Sequence, residues 1–257
     1  MKKTLYFLTG YLCLTTIAHA DTTRATSPQE VMSGANKTVA LYGNSYTHYN
    51  NNVNTRLRDL ARSLLPEKNA EGYSYRGITI STGHLGWHIP NLEFQNTLQK
   101  WDVVVFQGNS TEAISKKATT REYFTQSAIK MADIAHKADE KVVWFMTWAS
   151  KNKPEQTEKL EKAYLDIAHQ TNGYIAPVGL AFAKSLQRNP EINLYHSDGN
   201  HPSLAGTYLT ACVLFATLYN KSPVGGALPV DSAMNEKTAR ALQQTAWDVV
   251  VNFRQKQ

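Results

Sequence analysis

Three side chains in this sequence have the types and spacing for acyl transfer. Ser45 sits in Gly43-Asn44-Ser45-Tyr46-Thr47, directly after an apolar run that begins at Thr38. A serine hydroxyl is a weak nucleophile and needs a base to take its proton. Asp198 and His201 stand three apart in Ser197-Asp198-Gly199-Asn200-His201-Pro202. In a tight turn that spacing lets the carboxylate reach Nδ1 of the imidazole and leaves Nε2 free for the serine. The intermediate of such a reaction also needs preplaced donors for its oxyanion. The backbone N–H of Ser45, the backbone N–H of Gly83 and the side-chain amide of Asn109 are the candidates. Gly86 and Gln107 are alternatives in the same two segments. Each piece alone reads as a turn or a helix cap. Their order and positions make the case together.

The elements that must position these residues follow from periodicity. Apolar runs predict strands at Thr38–Gly43, Asp102–Gln107, Val142–Met146 and, more weakly, Tyr174–Val178, and Tyr75–Ser81 reads as a further one. Helical spacing predicts helices at Asn54–Leu65, Thr120–Ala138, Glu155–Thr171, Val178–Arg188, Ser203–Tyr219 and from Ser232 to about Phe253, with a short one carrying Leu92, Phe94 and Leu98. Pro66 and Asn172-Gly173 are stop signals, and Pro202 is placed to open a helix. Strands alternate with helices and lack polar alternation, so both faces of the sheet should be covered. That pattern implies an α/β fold: a mostly parallel five-stranded sheet between helix layers. Ligands in such folds bind beyond the carboxyl ends of the strands. The candidate residues sit at those ends, so the topology would gather them.

The first 20 residues read as an export signal. Lys2 and Lys3 precede an apolar stretch from Leu5 to Ile17, and Ala18-His19-Ala20 is a small-x-small cleavage site. The mature chain is expected to start at Asp21 and to be periplasmic or secreted. Residues 21–36 are polar and aperiodic, a flexible lead-in, and 37–257 form one domain. No later segment is apolar enough to span a membrane. Cleavage removes Cys13, so Cys212 has no partner within the chain and reads as a buried apolar residue. It also removes Lys2 and Lys3 from a formal charge of +6, leaving about +4. The basic residues are scattered and do not interleave with aromatics, so nucleic acid is not an indicated partner.

The residues quoted above carry a family resemblance. Gly43-Asn44-Ser45-Tyr46-Thr47, Gly83, Asn109 and Asp198-Gly199-Asn200-His201-Pro202-Ser203, followed by Gly206, resemble the four blocks of SGNH/GDSL hydrolases. The likeness runs from about Val39 to Leu218. Met146-Thr147-Trp148 and Ala176–Ala181 look like a bacterial subgroup with a Gly-Asn-Ser-Tyr-Thr first block. Asn44 stands where the commoner pattern has Asp. Gln107-Gly108-Asn109-Ser110 stands where it reads Gly-x-Asn-Asp. The resemblance implies a flavodoxin-like three-layer α/β/α sandwich. It implies Ser45 as nucleophile, His201 as base, Asp198 as its orienter, and Gly83 and Asn109 as oxyanion donors, with no cofactor. The expected activity is hydrolysis of a carboxylic ester on a small molecule or polysaccharide, with acetyl on carbohydrate first in line. Hydrolysis of longer acyl chains, and glycan binding on a catalytically weak version of the fold, are the alternatives.

Other residues invite different readings. His84 and His88 could form a metal site with His196, Asp198 and His201, but no cysteine or nearby carboxylate accompanies the first pair, so no metal is expected. They are expected to line the cleft mouth. Tyr46, Trp87 and Trp148 could wall an acyl or sugar site or could be packing. His48 is expected at the surface or the rim, and His136 and His169 on solvent-facing sides of helices.

Overall fold

A computed structural model describes residues 36–67, 70–230 and 234–256. The expected signal and all but the last residue of the lead-in lie outside them. Five strands form one sheet: β1 (Thr38–Gly43), β2 (Ser74–Thr79), β3 (Val103–Phe106), β4 (Lys141–Phe145) and β5 (Tyr174–Ala176). Their order is β2-β1-β3-β4-β5, and every pairing is parallel. The chain steps from β1 outward to β2 and then back across to β3. The β1/β3 seam is therefore the switch point where such sheets bind ligands.

Period-two alternation divides the strand residues between two cores. Val39, Leu41, Val103, Val105, Val143 and Phe145 face one core; Ala40, Tyr42, Val104, Phe106, Val142 and Trp144 face the other. The first is covered by α2 (Val53–Leu64), α6 (Val178–Arg188), α7 (Leu204–Tyr219) and α8 (Glu236–Gln255). The second is covered chiefly by α3 (Ile89–Leu98), α4 (Ala118–Lys137) and α5 (Gln156–Thr171). Helix α7 is apolar on all sides because it is buried on nearly all sides, between the sheet, α2 and α8. Cys212 lies within it, fully buried. No helix among the described residues is long and apolar enough to cross a membrane.

Several expectations shift. β2 is an edge strand and mostly exposed, so only the four other strands are covered on both faces. On α3 only Leu92 is buried; Phe94 and Leu98 face solvent. Pro202 does not open α7. Ser203 is the N-cap, its Oγ accepting from the Gly206 N–H, and Pro202 bridges to Tyr195 instead. Asn36, expected in the lead-in, is buried, and its amide donates to Leu218 O.

Candidate active site

β1 ends at Gly43, and the chain turns at once into the four-residue helix α1 (Ser45–His48). The turn is held by a pair of neutral amides. The Asn44 N–H donates to Gln107 Oε1 (2.9 Å), and Gln107 Nε2 donates to Asn44 Oδ1 (3.0 Å). Thr47 Oγ1 donates to the same Gln107 oxygen at 3.0 Å. Gly43 makes room for this: a Cβ there would lie 2.4 Å from Thr47 Oγ1 and 2.5 Å from Gln107 Oε1. The departures from the commoner family pattern at 44 and 107 are thus partners. Gln107 is buried with its amide engaged, and so is not free to meet an oxyanion.

Ser45 sits at the first helical position. Its Oγ lies 2.9 Å from His201 Nε2. His201 Nδ1 lies 2.5 Å from Asp198 Oδ2. Asp198 Oδ1 accepts the backbone N–H of Asn200 (2.8 Å) and of His201 (2.9 Å). The bond to His201, helped by these two, holds the Asp198 carboxyl down at about 2. The spacing of three works because Gly199 takes a left-handed conformation (φ +70) that curls the loop back on itself. Asp198 is therefore an ionised acceptor on one imidazole nitrogen, and Ser45 is the partner of the other.

The His201 loop is supported by Tyr49 and Asn50, which sequence reasoning passed over, and by Tyr46 and Trp148, which it named. The Tyr49 ring stacks on His201, 4.5 Å between centroids. Asn200 Oδ1 accepts from Tyr46 Oη (2.6 Å) and its carbonyl accepts from Trp148 Nε1 (3.0 Å). Asn50 Nδ2 donates to Pro202 O and to Thr207 Oγ1, tying the chain after α1 to the histidine loop. Asn50, Asn51 and Asn52 all have φ near +60, which asparagine tolerates better than most residues. That run was the available signal. Tyr46 and Trp148 stack on each other at 4.2 Å and are buried, so they pack behind His201 and do not wall a substrate cleft.

The loops after β2 and β3 carry the remaining candidates. Asn109 is half-buried, and its Nδ2 donates one hydrogen to Thr82 O at 3.1 Å. That bond leaves the second amide hydrogen over, and the Ser45 N–H, at a helix start, has no intrahelical acceptor. Gly83 differs from expectation. Thr82 is left-handed (φ +56), and the turn it makes points the Gly83 N–H at Ile80 O, 2.9 Å away. Gly83 instead offers its carbonyl to Asn44 Nδ2 (3.1 Å). Gly86 packs against Ser127 and Tyr123 of α4.

His88 is not at the cleft mouth: it is buried, and its Nε2 bonds Gly43 O at 2.8 Å. Burial pushes its pKa down, in keeping with a neutral ring that donates to that carbonyl. His84 is partly exposed and pairs through Nδ1 with Glu112 Oε2 at 2.5 Å, a carboxylate the sequence reading did not foresee. Among the described residues no group of three His, Cys, Asp or Glu side chains is arranged to hold a metal ion. His48, His136 and His169 are at the surface, and Trp87 is exposed beside His84.

No protein-family model and no curated protein matches the sequence. Solved structures do match the fold. A DUF4886 family protein from Bacteroides uniformis aligns with 84% of this chain and 95% of its own, at 16% identity and a TM-score of 0.64. A candidate SGNH hydrolase from Slackia heliotrinireducens aligns over 70% and 97%, at 21% identity and 0.56. An acetylxylan esterase from Geobacillus stearothermophilus, solved as a catalytic mutant, aligns over 73% and 96%, at 13% identity and 0.55. With its parallel sheet, its strand order and these likenesses, the chain has the α/β fold of the SGNH hydrolases.

Proposed function

We propose that this chain is an exported serine esterase that removes small acyl groups, acetyl first among them, from carbohydrate. The observation that carries the reading is the unbroken relay from Ser45 Oγ to His201 Nε2 and from His201 Nδ1 to Asp198. In the proposed reaction Ser45 Oγ attacks the ester carbonyl and His201 Nε2 takes its proton. Asp198 stabilises the imidazolium that forms. The Ser45 N–H and the free hydrogen of the Asn109 amide receive the oxyanion. Collapse expels the alcohol, which takes the proton from His201. Water activated by His201 then hydrolyses the acyl-enzyme. Gly83, whose N–H is engaged with Ile80, serves as the turn that carries Asn44 and as a donor only if that turn opens.

The small-acyl preference rests on what the strand-end loops offer. The exposed or half-exposed side chains there include His84, Trp87, Asn109, Ser110 and Tyr49, polar or aromatic, and no long apolar lid segment is seen among the described residues. An acetylxylan esterase stands among the proteins of similar fold. Export rests on the sequence signal: mass spectrometry of the exported protein should find Asp21 at its N-terminus. The functional test combines labelling and turnover. An organophosphonate ester should modify Ser45, and Ser45→Ala should abolish labelling and lower kcat by about 10³-fold or more. Acetyl esters should be cleaved faster than octanoyl esters. In an acyl-binding tunnel each buried methylene would add about 0.8 kcal/mol, so a steep rise in kcat/KM with chain length would overturn the small-acyl reading. Labelling of a different serine would overturn the nucleophile.

A further inference from the structure

Glu112 lies in the short helical turn Glu112–Ile114 after β3, and its side chain is 1% exposed. Its carboxylate has three partners, drawn from two loops. Oε1 accepts the Leu85 N–H at 3.0 Å and the Asn109 N–H at 2.9 Å. Oε2 lies 2.5 Å from His84 Nδ1. Leu85 and His84 belong to the loop after β2, and Asn109 to the loop after β3. One buried group thus joins the two loops on the Asn109 side of Ser45. Gly108 permits it: a Cβ at that position would sit 2.7 Å from Glu112 Oε1 and 2.9 Å from the Phe124 ring.

We propose that Glu112 is a positioning residue for the oxyanion donor Asn109, with His84 as its side-chain hydrogen-bond partner. The inference rests on the esterase reading above. Asn109 is anchored twice: its N–H by Glu112, and one amide hydrogen by Thr82 O of the loop that Glu112 also holds. Those two anchors fix where the second amide hydrogen points. Placement matters steeply, since an error of about 1 Å can cost about 10²-fold in rate. A bare carboxylate near a developing oxyanion would oppose it. His84, partly exposed, donates from Nδ1 to Oε2 and so satisfies the oxygen that the backbone N–H groups leave over. Burial outweighs the His84 bond and the two backbone bonds, so the Glu112 pKa is raised overall, and the partners hold the group by geometry.

The test pairs three variants with two readouts. Glu112→Gln keeps an oxygen for the Leu85 and Asn109 N–H groups; Glu112→Ala removes it; Glu112→Asp shortens the reach. Glu112→Ala should lower kcat for an acetyl ester by about 10²-fold with KM within about threefold, Glu112→Gln by less than about tenfold, and Glu112→Asp by an amount between them. Amide hydrogen exchange at Leu85 and Asn109 should accelerate at least about tenfold in Glu112→Ala and stay slow in Glu112→Gln, with β3 and β4 amides unchanged. If Glu112→Ala does not fold, the Asp and Gln variants decide the order. Unchanged kcat, or unchanged exchange at Leu85 and Asn109, overturns the proposal. So does a general loss in which KM, thermal midpoint and all core amides move together. A wild-type protein inert to every ester and to the phosphonate overturns the esterase reading and the catalytic part of this one, while the exchange data still decide whether Glu112 clamps the loops.

Discussion

Gln107 and Asn109 are two residues apart and both carry amides, yet their environments predict opposite phenotypes. Gln107→Ala removes the acceptor for two buried donors, the Asn44 N–H and Thr47 Oγ1. Asn44 Oδ1 keeps a partner in the Tyr46 N–H. Each orphaned donor costs about 1–3 kcal/mol, and with the vacated volume the loss should be about 3–5 kcal/mol. At about 2–4 °C per kcal/mol for a chain of this size, the thermal midpoint should fall by roughly 6–20 °C. Measured well below that midpoint, kcat should fall by no more than about tenfold, because no atom of Gln107 is free to touch the substrate. Asn109→Ala loses two side-chain bonds at a half-buried position, the donation to Thr82 O and a long one from Ser110 Oγ, at about 1–2 kcal/mol together. Its midpoint should move by only a few degrees. Its kcat should fall about 10²-fold with KM nearly unchanged, the signature of a donor used in the transition state. Differential scanning fluorimetry and steady-state kinetics on acetyl esters read both quantities. A stable Gln107→Ala with a selective loss of kcat, beside a silent Asn109→Ala, would refute this reasoning and move the oxyanion donor by two positions.

Asp198→Asn should lower kcat by about 10³-fold or more while leaving the fold intact, because an amide cannot stabilise the imidazolium; an activity within tenfold of wild type would remove Asp198 from the relay. Since the folded carboxyl is held at about 2, below its ordinary 3.8, its contribution to stability is present above pH 4 and is lost only as pH falls through about 2. Glu140 behaves in the opposite sense. Burial raises its carboxyl from 4.5 to about 7, against the bonds from the Trp101 N–H and Asn96 Nδ2. The folded state therefore holds its proton more tightly, and stability should decline as pH rises from about 4.5 through 7. Glu140→Gln should relieve about 1–2 kcal/mol at pH 8, after discounting for solvent screening, and little at pH 4. The new amide can also serve Asn96 Oδ1, which is buried without a partner, once the Asn96 amide turns over. Thermal midpoints of both proteins at pH 4 and 8 check this; an equal shift at the two pH values would contradict it.

Much of this architecture was legible in one dimension. Four apolar runs alternating with helical periodicity called for a covered parallel sheet, while the more polar β2 lies exposed at its edge, and β1 and α6 fall on the expected residues. Ser45, Asp198 and His201 were legible because their local chemistry is local geometry: a residue after a strand, and a carboxylate three positions from an imidazole in a turn curled by Gly199. What the chain order could not convey was which polar side chains would face each other across 30 to 160 residues. Gln107 looked like an alternative donor until Asn44 was found opposite it. His88 looked like a rim residue until the loop carried it under Gly43. Tyr46 and Trp148 read equally as a cleft wall or as packing until they stacked behind Asn200 and His201. Glu112 carried no signal, since a lone glutamate among turn residues is ordinarily solvated; only the meeting of the β2 and β3 loops makes it a buried acceptor. The sequence by itself determined the period, the order of the elements and the residues with chemistry to offer. Tertiary structure decided which of them are free to use it, because hydrogen-bond partners are consumed by whatever folding brings within 3 Å.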